Sequence, residues 1–181
     1  MKKAITISFI FLCFNFAFSQ SFEVPKNYQF VEKEDYALYE HYIVQAVDWL
    51  INTPINQEKE KRAEVSAFLV QWAMGSPTIH VIVHHNIVNF LDYNEPDLLL
   101  VFIGGWIKNA IEADRRKNTV ADSRQNIDGL VAGNLAGIEA VIQFYNKNRR
   151  ALPRIREIEN YNRLLNRGRL ESEIAKRVRE Q

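Results

Sequence analysis

Apolar side chains recur at helical spacing along most of this chain, and runs with the alternation of a β-strand are scarce. In the first such segment, Tyr36, Ile43, Ala46 and Leu50 fall on one face of a helix. Prolines, glycines and capping residues separate the segments; proline, for example, disfavours helical geometry in the residue before it. Helices are therefore predicted over residues 34–51, 57–75 after the cap Asn56, 84–92, 95–116, 120–148 and 153–167, with a short last helix at 170–179.

Residues 78–83 form the one stretch with a β-like composition. They read Thr-Ile-His-Val-Ile-Val, and such β-branched runs favour an extended backbone, but no second strand is evident to pair with them. The predicted fold class is therefore all-α, a single-domain bundle of about six helices with room for a short extended segment near 78–83. This domain covers residues 20–181 and ends in a basic helical segment, 147–181.

The N-terminus has the composition of a secretory signal peptide. Two lysines follow Met1, residues 5–18 are almost unbroken apolar sequence, and the small residues Ala17 and Ser19 precede Gln20. That run is too short and wrongly flanked for a membrane-spanning helix. We therefore expect residues 1–19 to be a signal peptide cleaved near Ser19/Gln20, and the protein to be an exported bacterial one, periplasmic or secreted.

The single cysteine, Cys13, lies inside this predicted signal peptide. Leu12 precedes it where a lipoprotein signal has a small residue, so cleavage without a lipid anchor is favoured. The mature chain would then have no disulfide, no cysteine nucleophile and no cysteine-ligated metal. We expect no cofactor. We also expect no transmembrane span in the mature chain, because the apolar run at 98–103 is followed too soon by Lys108 and Asn109.

Charge is distributed unevenly along the chain. Residues 20–146 carry 10 Lys/Arg against 17 Asp/Glu, whereas residues 147–181 carry 11 against 5. A basic tail can bind an anionic polymer, although we expect no nucleic-acid partner, and it can also pack on the acidic body of the same chain. The second interpretation is favoured. The candidate polyanion or partner contacts are Arg149, Arg150, Arg154 and Arg156.

Three glycines stand four residues apart within one predicted helix, at Gly129, Gly133 and Gly137. Each costs about 1 kcal/mol relative to alanine in a helix interior, so the stripe requires a compensating gain. A flat stripe allows another helix backbone to approach closely, and Gly104 and Gly105 offer a counterpart. We expect internal helix packing here; a dimer contact or a ligand groove is the alternative.

Two histidines, His80 and His84, would share a face if their segment were helical, and could then bind a metal. The pattern lacks the glutamate of zinc proteases, and no third ligand is fixed by spacing. An extended backbone at 78–83 would also change the geometry of the pair. Partly buried polar side chains are therefore the favoured interpretation of both histidines.

No phosphate-binding loop, nucleophile elbow or suggestive carboxylate pair occurs in the sequence. Enzyme activity is therefore not favoured. The leading hypothesis is an exported, non-catalytic binding or structural module that acts on a protein or a cell-envelope component. The alternatives are a metal-dependent hydrolase using His80 and His84, and an anionic-polymer binder using the C-terminal arginines. The sequence indicates neither a specific partner nor an oligomeric state.

Overall fold

A computed structural model of the chain describes residues 22–93, 95–117 and 127–180. These residues form six α-helices and one short 3-10 helix, with no strand among them, so the all-α prediction is confirmed. The predicted signal peptide and its cleavage position lie outside the described residues. The α-helices are α1 (Lys33–Asn52), α2 (Lys59–Gly75), α3 (Pro96–Lys117), α4 (Ile127–Lys147), α5 (Arg156–Asn166) and α6 (Leu170–Arg179), with the 3-10 helix at Asn89–Tyr93.

The described helices share one hydrophobic core. Helices α3 and α4 pack along most of their length at its centre, α1 and α2 cover one side of this pair, and α5 and α6 pack on α4. Fully buried large side chains come from every part of the bundle, so each helix contributes to the core. These include Phe68, Trp72, Phe102, Phe144 and Tyr161.

Two predicted boundaries are wrong for identifiable reasons. Helix α2 begins at Lys59 rather than directly after Asn56, because Gln57 N donates a hydrogen bond to Pro54 O and closes a turn first. Glu58 then adopts a left-handed conformation, with φ of 47°, and becomes the N-cap. Helix α5 begins three residues later than the Pro153 start that was predicted.

The α-helix predicted at 84–92 is also wrong. Residues 78–84 form neither helix nor strand, and His84 O accepts hydrogen bonds from both Ile87 N and Val88 N, which makes a tight turn. Only the five-residue 3-10 helix follows. Ile87, Val88 and Phe90 are all buried, so the apolar run reflects a loop enclosed by other elements.

The basic C-terminal segment is part of the core. Ile155 and Ile158 are fully buried. The Tyr161 hydroxyl donates a 2.7 Å hydrogen bond to Ile87 O. Arg177 Nη1 donates to Asn86 O at 2.6 Å, and the Asn86 amide donates to Arg177 O at 3.2 Å. Helices α5 and α6 therefore attach the buried loop before α3 to the rest of the bundle.

Helices α2 and α3 run parallel. Arg62 Nη1 on α2 lies 3.6 Å from Asp97 Oδ1 on α3. A Cβ atom built on Gly104 of α3 would lie 3.5 Å from Leu69 Cδ2 of α2. Both pairs are 35 positions apart in the sequence, so the two helices advance in the same direction. Their N-termini consequently lie at the same end of the pair.

Candidate functional site

The two parallel helices leave a groove between them, here called the α2–α3 groove, with a volume of about 490 Å³. Helix α2 contributes Lys59, Arg62, Ala63, Ser66 and Val70. Helix α3 contributes Pro96, Asp97, Leu99, Leu100 and Ile103. Most of the groove surface is apolar, which is typical of small-molecule sites.

Charge is confined to one end of the α2–α3 groove. Lys59, Arg62 and Asp97 lie in the first turns of their helices, whereas Val70 and Ile103 lie farther along them. The helical rise from position 59 to position 70 gives the groove a length of about 16 Å. The groove therefore has one charged end, where both helices begin, and an apolar remainder.

Arg62 is buried at the charged end, with only 7% of its surface exposed. Its Nη2 donates a 2.7 Å hydrogen bond to Thr53 O, and its guanidinium carbon lies 5.7 Å from the ring centre of Trp49 and 5.8 Å from that of Phe144. Nε and Nη1 have no hydrogen-bond partner. Asp97 contacts Nη1 at 3.6 Å, which is too long for a hydrogen bond.

Burial lowers the pKa of Arg62 from its ordinary value, and the negative charge of Asp97 opposes part of this shift. Arginine nevertheless stays protonated in proteins, so the guanidinium keeps its charge. A buried cation with two nitrogens that lack hydrogen bonds is therefore only partly compensated by the protein. The arrangement suits binding of an anion better than proton transfer.

Helix α3 covers Gly133 and Gly137 of the glycine stripe. A Cβ built on Gly105 would lie 2.6 Å from Ala140 Cβ and 3.1 Å from Gly137 Cα, so the two helix backbones approach closely there. Gly133 lies against the indole ring of Trp106. At Gly133 and Gly137 the stripe is therefore occupied by residues of α3, which leaves no open groove at these two positions.

Gly104 and Gly129 are the other two glycines of the predicted contact. Gly104 points away from α4, because a Cβ on it would meet Val47 of α1 at 3.1 Å. Only Gly105 thus acts as the counterpart that was expected from both. Gly129 lies in the first helical turns of α4 and is partly exposed.

The histidine pair does not lie on a helix. His80 and His84 lie in the segment with neither helix nor strand, so they do not share a helical face. Burial lowers the pKa of His84, and its Nε2 has no hydrogen-bond partner. Among the residues that the structure describes, no group of three or more histidine, cysteine, aspartate or glutamate side chains is placed to hold a metal ion.

Two of the four candidate arginines form ion pairs with an acidic residue of the same chain. Arg149 and Arg154 both form ion pairs with Glu159, and Arg154 Nε lies 3.1 Å from its carboxylate. Arg150 and Arg156 are exposed. A polar concavity of about 370 Å³ lies beside Arg149 and Arg150 at the end of α4. Two of the four arginines are thus paired with Glu159, whereas the other two are exposed.

By length and composition alone, α4 could cross a membrane. Half of its most apolar stretch is buried inside the fold, as in a central core helix. Its glycine face packs on α3, and α5 and α6 pack elsewhere on it.

The α2–α3 groove was not predicted from the sequence. No site role was predicted for Asp97 or for Arg62. One signal was present, because Arg62 follows the same helical spacing as Val65, Leu69 and Trp72, which are all buried. Comparison with protein-family models, characterised proteins and solved structures finds no match for this chain.

Proposed function

We propose that this protein is an exported, non-catalytic helical module that binds an apolar component of the cell envelope in the α2–α3 groove. The observation that carries the proposal is the apolar groove between two helices anchored in one core. Export rests on the N-terminal sequence pattern, which has the order of a signal peptide.

The groove has the dimensions and surface of a ligand site. Its volume of about 490 Å³ falls within the usual range of roughly 300–1,000 Å³ for small-molecule pockets. Val70 is 41% exposed although it borders this apolar surface. A ligand chain along Val70, Leu100 and Ile103 would remove that surface from water, and each apolar Å² buried contributes about 25 cal/mol.

The polar groups of the groove favour binding over catalysis. The Ser66 hydroxyl donates a 2.6 Å hydrogen bond to Arg62 O, which uses it within α2. Arg62 stays charged and cannot act as a base at neutral pH. Lys59 and Asp97 are the remaining titratable groups that line the groove, and they lie at its charged end.

The proposal can be tested with a neutral naphthylamine dye whose fluorescence rises in apolar surroundings. We expect saturable binding to the purified protein and at least tenfold weaker binding to Ala63→Trp, because the indole would fill the groove beside Arg62. Ala37→Trp is the matched control, since Ala37 is an exposed helical alanine on α1 outside the groove. Absence of saturable binding, or equal binding by both variants, would contradict the proposal.

A further inference from the structure

We propose that the ligand of the α2–α3 groove is a linear amphiphile with a carboxylate head. Its head would lie at the Lys59–Arg62 end and its chain would extend toward Val70 and Ile103. This inference rests on the function proposed above and adds the chemical class of the ligand.

The charges that line the groove match a monoanion. Lys59 and Arg62 contribute two positive charges and Asp97 one negative charge, which leaves a net charge of +1. Glu58 is turned to Lys61, at 3.7 Å, and does not line the groove. The remaining positive charge lies at one end of an apolar surface, where a carboxylate head would neutralise it.

The backbone adds to this positive potential. Helices α2 and α3 both begin at the charged end, at Lys59 and Pro96. The N-terminus of a helix carries a partial positive charge because its first N–H groups have no partner within the helix. Two parallel helices place two such termini beside one head group. They therefore favour an anion over a neutral or cationic head.

Arg62 supplies the specific indication of a ligand. It is more than nine-tenths buried and lines the groove, and its Nε and Nη1 lack hydrogen bonds. Buried polar atoms in proteins almost always have a hydrogen-bond partner. A carboxylate that reaches Nη1 would form the charge-assisted hydrogen bond that Asp97, at 3.6 Å, does not make.

Asp97 would compete with the ligand for this position. Its side chain is 24% exposed and lies against Nη1, so it must move for a ligand carboxylate to reach that atom. Its negative charge also repels the incoming head. Removing the charge of Asp97 should therefore strengthen carboxylate binding, whereas a purely apolar site would be insensitive to the change.

The apolar part of the groove determines the length of the ligand's hydrocarbon chain. Val70, Leu100 and Ile103 line it beyond the charged turn, along a total groove length of about 16 Å. An extended twelve-carbon chain fits this length, so dodecanoate is a suitable probe. Dodecanol, dodecyl phosphate and dodecyltrimethylammonium carry the same chain with other head groups.

Calorimetric titration of the full protein with these probes, below their micelle concentrations, tests the inference. We expect dodecanoate to bind at least tenfold more tightly than dodecanol and dodecyltrimethylammonium, and more tightly than dodecyl phosphate. Lys59→Gln should weaken dodecanoate binding severalfold and leave dodecanol unchanged. Lys33→Gln, at an exposed lysine in the first turn of α1, is the control for the loss of one charge.

Asp97→Asn should bind dodecanoate severalfold more tightly than the wild type, with dodecanol binding unchanged. Arg62→Gln should abolish the preference for dodecanoate over dodecanol, and circular dichroism would establish that this variant folds. If Arg62→Gln does not fold, the Lys59 and Asp97 variants decide the result.

Equal binding of dodecanoate and dodecanol, or tighter binding of the phosphate or the cation, would overturn the carboxylate assignment and leave the proposed apolar groove standing. Failure of all four amphiphiles and of the neutral dye to bind would overturn the proposed function itself. The two results are therefore distinguishable.

Discussion

The indole ring of Trp106 occupies the space that a side chain at Gly133 would need, because a Cβ built there would lie 2.6 Å from Trp106 Cδ2. Trp106 is only 2% exposed and has little room to move. We expect Gly133→Ala to lower the melting temperature, since overpacking of about 1–3 kcal/mol exceeds the helix-propensity gain of about 0.5–1 kcal/mol. Gly133→Leu should destabilise further.

A double-mutant cycle isolates this contact. Trp106→Phe provides a smaller ring, so Gly133→Ala should cost less in that background than in the wild type. Additive losses of unfolding free energy would show that the methyl group meets something other than Trp106. A higher melting temperature for Gly133→Ala would show that the glycine face is open.

The protein should lose stability at high pH because the Tyr161 hydroxyl is buried. Burial raises its pKa to about 12, whereas an unfolded tyrosine titrates near 10. The folded protein holds the hydroxyl proton of Tyr161 more tightly than the unfolded chain does, which adds to the free energy of unfolding. This stabilising contribution is complete below about pH 10 and is lost as the pH rises toward 12. The loss should amount to roughly 2–3 kcal/mol, measured by urea unfolding.

Tyr161→Phe is the control for that pH dependence. It should be less stable than wild type at neutral pH by about 1–3 kcal/mol, because Ile87 O loses its hydrogen bond. Its stability should then fall less steeply between pH 10 and about 12. Parallel curves for the two proteins would assign the alkaline loss to other groups.

Truncation after Asn146 should abolish cooperative unfolding or lower the melting temperature strongly. The removed segment buries Ile155, Ile158, Ile174 and Val178. Each such side chain contributes about 1.5–3 kcal/mol, so the sum is comparable with the whole stability of a domain. Thermal melts and binding of an apolar dye would measure the effect, and truncation after Arg179 is the control. Unchanged melting would indicate a free basic arm.

Glu159→Gln should strengthen binding to heparin, because it releases Arg149 and Arg154 from their shared carboxylate. Heparin-column retention and its salt dependence would measure this, with the salt slope steeper by about two released ions. Glu60→Gln removes the same charge from an exposed position on α2 and should have less effect. Equal retention of both variants would mean that Glu159 does not mask the arginines.

Export predicts that the mature protein begins at Gln20 and lies outside the cytoplasm. Cell fractionation followed by N-terminal sequencing would test both statements. Met1 retained on a cytoplasmic protein would contradict export. A lipid on Cys13 would instead indicate an anchored form.

The helices were predictable wherever apolar spacing and end signals agreed. Helix α6 has the predicted bounds, since Gly168 precedes it and Leu170, Ile174 and Val178 repeat every fourth position. The α-helix predicted at 84–92 was wrong because a short apolar run of this composition can belong either to a buried loop or to a helix. What distinguishes the two is burial by distant residues such as Tyr161, which the local pattern does not contain.

The candidate groove was not predictable for a related reason. It depends on the parallel arrangement of α2 and α3, which follows from how both pack on the rest of the core. Arg62 and Asp97 are 35 positions apart, and neither has a neighbour in sequence that indicates the other. The arginine on a buried helical stripe was the one local sign of a polar site.

The hydrogen bonds from Tyr161 and Arg177 to residues 86 and 87 also bear on the order of folding. A ribosome synthesises the loop long before α6, so these contacts between distant parts of the chain can form only at the end of translation. Until then the Arg177 contacts to the loop are absent, and the core lacks the α6 side chains Ile174 and Val178. If the chain is exported as proposed, this late completion of the core would keep it from folding fully before it reaches a translocation channel.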